Sequence, residues 1–330
     1  MSQLKNVAFK NLVLLSYGSI TESLRTIFCI LSFNAWRGIH DRTHIILYTD
    51  KPDFFKSYLP DFDIEYVLLT AEDLTGMQAG INFNHRIKVS VIDLTYKKYP
   101  EQSLIFVDSD TFFTGSPAPL LQNSGPEISY MHKREYDFNE GLELFRSYGE
   151  GEFPEAFLNY IAGRDFDICG EKMRFNNSDY SWNSGLVGLN CAFKKYMPDV
   201  LKLTEEFYLN SKWFVSEQLA FSLILQRTTT IKRADSFVFH YWAPKQKKFA
   251  DELILNFFSE FDKTSHNRKF ALRILTIEWK CRIEADQLYT ASSIAFSERF
   301  YKYGFRKRMH SLLKAAIASQ FRILGEFVSS

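Results

Sequence analysis

The chain has 330 residues, 46% of them hydrophobic and 24% charged, enough apolar material for one large core or two modest ones and too much for a disordered polymer. Its 40 lysines and arginines nearly cancel its 39 aspartates and glutamates, which excludes a global field drawing it to nucleic acid or to an acidic polymer. Cys29, Cys169, Cys191 and Cys281 show no Cys-x-x-Cys spacing and suit a reducing compartment.

The N-terminal apolar run, LVLL, is shorter than the roughly 7–15 residues of a signal-peptide core. No stretch reaches the ~18–20 apolar residues of a membrane span, so a cytoplasmic chain is expected. Short apolar runs then alternate with helical patterns: NLVLLSY before TESLRTIFCILSFNAW, HIILYTD before a turn at Lys51-Pro52-Asp53, DIEYVLL before HRIKVSVIDLTYKKY, and then LIFVDSD. Strand and helix taking turns predicts an α/β fold, its sheet largely parallel with crossover helices. In such sheets ligands collect beyond the carboxyl ends of the strands. Ser16, Tyr17, Asp50 and the Asp108 segment are therefore expected to converge on one crevice. A polar, glycine-punctuated stretch from Gly141 to Asp179 reads as loops around an acceptor pocket, followed by a strand, GLVGLN, and a helix, SEQLAFSLILQ. All nine prolines lie at or before Pro244. That shift in composition divides the chain into a domain over 1–245 and a C-terminal helical extension over 246–330.

Three Asp-x-Asp pairs occur among 18 aspartates. Asp61/Asp63 opens a strand and Asp165/Asp167 lies in a loop, so both read as solvated turns or caps. Asp108/Asp110 follows four apolar residues and precedes a Gly-Ser-Pro turn. Carboxylates held at a strand end are hard oxygen ligands for Mg²⁺ or Mn²⁺ and, through the ion, for phosphate oxygens. A haloacid-dehalogenase phosphatase is the nearest chemical rival, but its motif has Thr or Val where Phe112 stands and lies near the N-terminus. A sugar-phosphate nucleotidyltransferase would want a glycine-rich loop after the first strand, and SYGSITESLR supplies one glycine.

In LIFVDSDTFF, SWNSGLVGLN, SEQLAFSLIL and FVFHYW, in that order over residues 104–242, the sequence resembles GT-A glycosyltransferases, particularly glycogenin-like ones. The resemblance implies a Rossmann-like GT-A fold with a mixed, mainly parallel sheet flanked by helices. It implies transfer of a sugar from a nucleotide-diphosphate donor, a UDP-sugar, to a carbohydrate or lipid-linked acceptor, as in polysaccharide or glycolipid synthesis. Asp108, Asp110 and His240 would hold the metal, and imidazole suits Mn²⁺ better than Mg²⁺. Lys88, or alternatively Arg86, would contact the donor beside Ser109; the family's phosphate lysine has no clean match among Lys245, Lys247 and Lys248, with Lys245 the candidate. Asn183 and Ser184 would bind sugar hydroxyls, with Gly185 giving close backbone approach. Glu217 is the acid/base candidate and Gln218 its partner on the donor, while Ser216 and Glu217 also read as a helix cap.

Residues 299–322 hold seven lysines and arginines and no acid among Phe, Tyr, Leu and Ile. They suit either a helix on an anionic membrane surface, placing the chain peripherally on an inner face, or one packed on the catalytic domain or a dimer partner. Nothing there matches a nucleic-acid motif. The competing class is a binding or scaffold protein that kept the fold without catalysis.

Overall fold

The computed structural model describes residues 9–123, 125–145, 154–260 and 269–303, with side chains from 11 to 286. The basic stretch 299–322 lies outside the residues whose side chains are described. The first half alternates as expected: β1 (Phe9–Ser16), α1 (Ile20–Trp36), β2 (His44–Thr49), α2 (Pro52–Tyr58), β3 (Ile64–Leu68), α3 (Ala71–Met77), α4 (His85–Lys98) and β4 (Ser103–Val107). Shorter pieces follow: β5 (Thr111–Phe113), α5 (Ala118–Leu121), β6 (Ile128–Met131), β7 (Arg134–Asp137), α6 (Phe138–Leu144), α7 (Glu155–Ile161), β8 (Phe166–Ile168), β9 (Glu171–Met173), β10 (Tyr180–Trp182) and β11 (Leu186–Leu189). The described chain closes with α8 (Met197–Ser211), α9 (Ser216–Thr228), β12 (Thr230–Arg233), β13 (Val238–His240), α10 (Pro244–Ser259) and α11 (Lys269–Tyr303).

Seven strands form one sheet in the order β12-β6-β11-β4-β1-β2-β3. Neighbours are parallel except where β11 runs antiparallel between β4 and β6. Central strands buried on both faces read as continuous apolar runs, as LIFV in β4 does. Alternate residues serve opposite faces. Val13 and Phe106 join the core made with Ile87 of α4, Phe207 of α8 and Phe221 of α9. Their neighbours Leu12, Leu14, Ile105 and Val107, all buried, turn to the other face, where α1 packs on β5 and α10. There Phe28 meets Phe112 at 5.6 Å and Trp279 at 4.5 Å between ring centroids.

The Gly141–Asp179 stretch carries more order than the expected loops. Besides α6 and α7 it holds the β8–β9 hairpin, because its aromatics find partners: Phe157 packs on Phe138, Phe207 and Trp213, and Phe166 on Phe175. In that hairpin Asp167 accepts from the Gly170 N–H at 3.1 Å and Asp165 pairs with Arg174, the turn role read from the sequence. Contacts divide the chain into residues 1–280 and 281–330. No helix among the described residues is long and apolar enough to cross a membrane.

Candidate active site

Two backbone features bring distant residues to the carboxyl edge of β4. Because β11 is antiparallel to β4, its beginning abuts the end of β4, and Asp108 N–H donates to Gly185 O at 2.9 Å. Immediately beyond, β5 pairs with β13 so that Thr111 lies opposite His240, and Tyr241 N–H donates to Asp110 O at 3.1 Å. One ligand atom from each of Asp108, Asp110 and His240 lies within 4.8 Å of the others.

His240 Nε2 is 3.2 Å from Asp110 Oδ1, and its Nδ1 is 2.7 Å from Asn183 Oδ1. That amide oxygen also accepts from Gly185 N–H at 3.0 Å, so it is the acceptor for the ring as well and Nδ1 carries the hydrogen. In the neutral ring Nε2 then presents a lone pair to a carboxylate oxygen. Two acceptors this close need a proton or a cation between them, and the donor set of two carboxylates and one imidazole suits a divalent ion. The ring also fills the space above Gly185: a Cβ there would lie 2.1 Å from His240 Nδ1.

Asp110 is buried and its other oxygen meets Lys247 Nζ at 2.7 Å. Burial alone would raise its pKa, but His240 and Lys247 outweigh that and hold the carboxyl well below the usual range. Lys88, 4% exposed, spends its ammonium hydrogens on Asp108 Oδ2 at 3.0 Å and on Ser184 O and Oγ at 2.6 and 3.0 Å. Ser184 Oγ donates to Glu217 Oε1 at 3.0 Å, which is itself 3.9 Å from Lys88. A cleft of about 320 Å³ opens on this cluster, lined by Tyr17, Glu22, His85, Lys88, Asp108, Ser109, Asp110 and Lys247 among others.

No protein-family model and no curated protein sequence matches the chain. Among solved structures it is similar to mouse xyloside xylosyltransferase 1, at 12% identity and TM-score 0.43 over 68% of this chain and 84% of that one. It is also similar to the galactosyltransferase LgtC solved with donor and acceptor sugar analogues, at 13% and 0.43 over 78% and 99%. A third is the glycosyltransferase GlyE of Streptococcus pneumoniae TIGR4, at 12% and 0.39 over 76% and 51%. At such TM-scores the functional reading rests on the side chains of this chain.

Of the other residues singled out in the sequence, Tyr17 and Ser109 line the cleft. Asp50 accepts from Gly18 N–H at 3.1 Å beside Lys51, and Ser16 is buried at the end of β1. Arg86 is turned away to Glu205 at 2.7 Å and to Met77 O. Lys245 is exposed at the start of α10, and Lys247 is the lysine that reaches Asp110. Glu217 and Gln218 are buried behind the Ser184 turn, where the Gln218 amide oxygen accepts from Ser184 N–H at 3.1 Å. Ser216 makes no cap for α9; its hydroxyl donates to Trp213 O at 2.6 Å.

Glu22 went unnoticed in the sequence. Ser19-Ile20-Thr21-Glu22 has the spacing of a capping box, and Ser19 Oγ does cap α1 by accepting from Glu22 N–H at 3.1 Å. The Glu22 carboxylate is nevertheless drawn into the cleft, to Ser109 Oγ and to Arg25 at 2.7 Å.

Proposed function

We propose that this protein is a divalent-metal-dependent glycosyltransferase that takes a sugar from a nucleotide-diphosphate donor. The observation that carries this reading is the clustering of Asp108, Asp110 and His240 at a cleft lined by both aspartates, Lys88 and Lys247. Paired carboxylates with an imidazole would hold the ion, and the lysines complement a diphosphate. A cation bound there would act as a Lewis acid, neutralising charge that develops on the departing nucleoside diphosphate.

The chain's own residues supply the positioning. Asn183 holds the His240 ring by its Nδ1–H, leaving Nε2 for the ion. Glu217 acts from behind the wall, keeping Ser184 and Lys88 against Asp108. Lys247, part exposed and resting on Asp110, is the cation best placed to turn toward a phosphate. A UDP-sugar donor and Mn²⁺ are the finer expectations, the first from motif resemblance and the second from the imidazole ligand. The acidless basic stretch 299–322 favours an acceptor met at an anionic surface, such as a lipid-linked sugar.

The test is release of nucleoside diphosphate from a panel of nucleotide sugars with Mn²⁺, with Mg²⁺ and with chelator, comparing the native chain with Asp110→Ala. Metal-dependent release from one donor, lowered at least ~100-fold in the variant with its circular dichroism unchanged, is expected. Full activity in Asp110→Ala, or neither turnover nor a donor-induced thermal shift in the native chain, would overturn the assignment.

A further inference from the structure

We infer that Glu135 is a positioning residue that fixes the orientation of His240 and of the Ser184 turn through two side-chain amides. The inference rests on reading Asp108, Asp110 and His240 as a cation site. Glu135 lies half-buried in β7. Its Oε1 accepts from Asn183 Nδ2 at 3.0 Å and its Oε2 from Gln218 Nε2 at 2.9 Å. Among the described residues no cation comes within ion-pair distance of it, so both carboxylate oxygens are spent on neutral amides.

An ionised carboxylate only accepts hydrogen bonds, whereas an amide can turn either end toward a neighbour. Facing Glu135, both amides must offer NH₂ and present oxygen on the far side. The Asn183 oxygen then receives His240 Nδ1–H at 2.7 Å, with Gly185 N–H favouring the same orientation at 3.0 Å. This selects the imidazole tautomer whose Nε2 lone pair faces Asp110. The Gln218 oxygen receives Ser184 N–H at 3.1 Å, and its NH₂ also donates to Ser181 Oγ at 2.8 Å. Ser184 in turn holds Lys88 against Asp108. One carboxylate thereby sets two of the three ligand-bearing positions, and partners of metal-bound histidines of this kind raise ligand basicity and fix the ring.

The experiment uses the full chain as Glu135→Ala, Glu135→Gln and Glu135→Asp. Mn²⁺ binding is followed by loss of the free-ion electron paramagnetic resonance signal, with Asp110→Ala defining the site. In parallel, ¹⁵N spectra of the metal-free protein, in which a proton takes the cation's place between Nε2 and Asp110, report the hydrogen-bonded Nδ1–H of His240, assigned by difference with His240→Gln. Glu135→Ala and Glu135→Gln are expected to bind Mn²⁺ about 10- to 100-fold more weakly and to lose the hydrogen-bonded Nδ1–H signal of His240. Glu135→Asp should recover part of both, and all three should keep native circular dichroism. Affinity within twofold of native together with an unchanged Nδ1–H signal in Glu135→Ala would overturn the relay and leave the metal site standing. If the native chain shows no Asp110-dependent Mn²⁺ binding, the metal reading falls, and the metal-free Nδ1–H signal alone decides the role of Glu135.

Discussion

At Gly185 one methyl group decides whether the imidazole of His240 can stay where it is. An added Cβ would come within 2.1 to 2.6 Å of three ring atoms, and close-packed interiors do not absorb such an intrusion. The glycine is there for space; its backbone φ is not among the positive ones. Gly185→Ala should cost about 1–3 kcal/mol and abolish Mn²⁺ binding, measured by thermal melting and by metal titration. Retention of both would mean the ring moves freely. Asp108 and Asp110 stood out because motif and strand context coincide in a short stretch of sequence, whereas His240 and Lys88 were suggested only by their place in the order of motifs that carries the family resemblance. Lys247 could not be told from Lys245 and Lys248 by spacing alone, although residues two apart on a helix point to opposite sides. Glu22 and Glu135 were hidden for another reason: the partners that bring them to the site, Ser109 and Asn183, are 87 and 48 residues away, and local spacing announces at most a helix cap at Glu22.

Helix α10 owes its place to a charged clamp. Arg25 of α1 donates from Nε and an NH₂ group to the two oxygens of Asp251, each at 2.7 Å, and also to Glu22 at 2.7 Å. Burial opposes the charge on Arg25, but Asp251 and Glu22 more than offset it and the pKa is raised. Asp251 lies one turn beyond Lys247, so the clamp also sets the rotation that aims Lys247 at Asp110. Asp251→Ala is expected to destabilise the chain by about 1.5–3 kcal/mol, read from urea unfolding. It should also lower donor turnover by displacing Lys247. A double-mutant cycle with Arg25→Met would show coupling if the pair acts as a unit. At this scale the sequence revealed β1 to β4 with α1 and α4, whose apolar periodicity is long enough to see. β5 and β13, three residues each, carry no period of their own; they exist because they pair with one another.

Over the whole molecule, the face of the sheet carrying α1 is sealed by aromatic packing, and Cys29 is a probe of that seal. Burial pushes its thiol up to about 12, with a hydrogen bond to Thr111 opposing and the charges of Asp110 and Asp108 adding to the rise. Since the thiolate is the reactive form, Cys29 should resist a disulfide reagent at pH 8 in the native state, while exposed Cys169 and Cys281 react. Its modification should track global unfolding as urea is added; modification at the native rate of an exposed thiol would contradict the packing of α1. The parallel order of the first four sheet strands was readable from the alternation of elements. The reversal at β11 was not, because nothing in GLVGLN fixes its direction.

That reversed strand has a kinetic consequence. The groups that position the cation's ligands arrive from separate excursions of the chain: Lys88 and Ser184 are 96 residues apart, and Asn183 and His240 are 57 apart. Neither pair can form until β11, with Asn183 and Ser184 just ahead of its start, has threaded between β4 and β6, which places completion of the site among the late, non-local events of folding. An ion supplied during refolding would therefore find no nucleus to stabilise. It would leave the refolding rate unchanged and act as a latch on the finished molecule, slowing its opening instead.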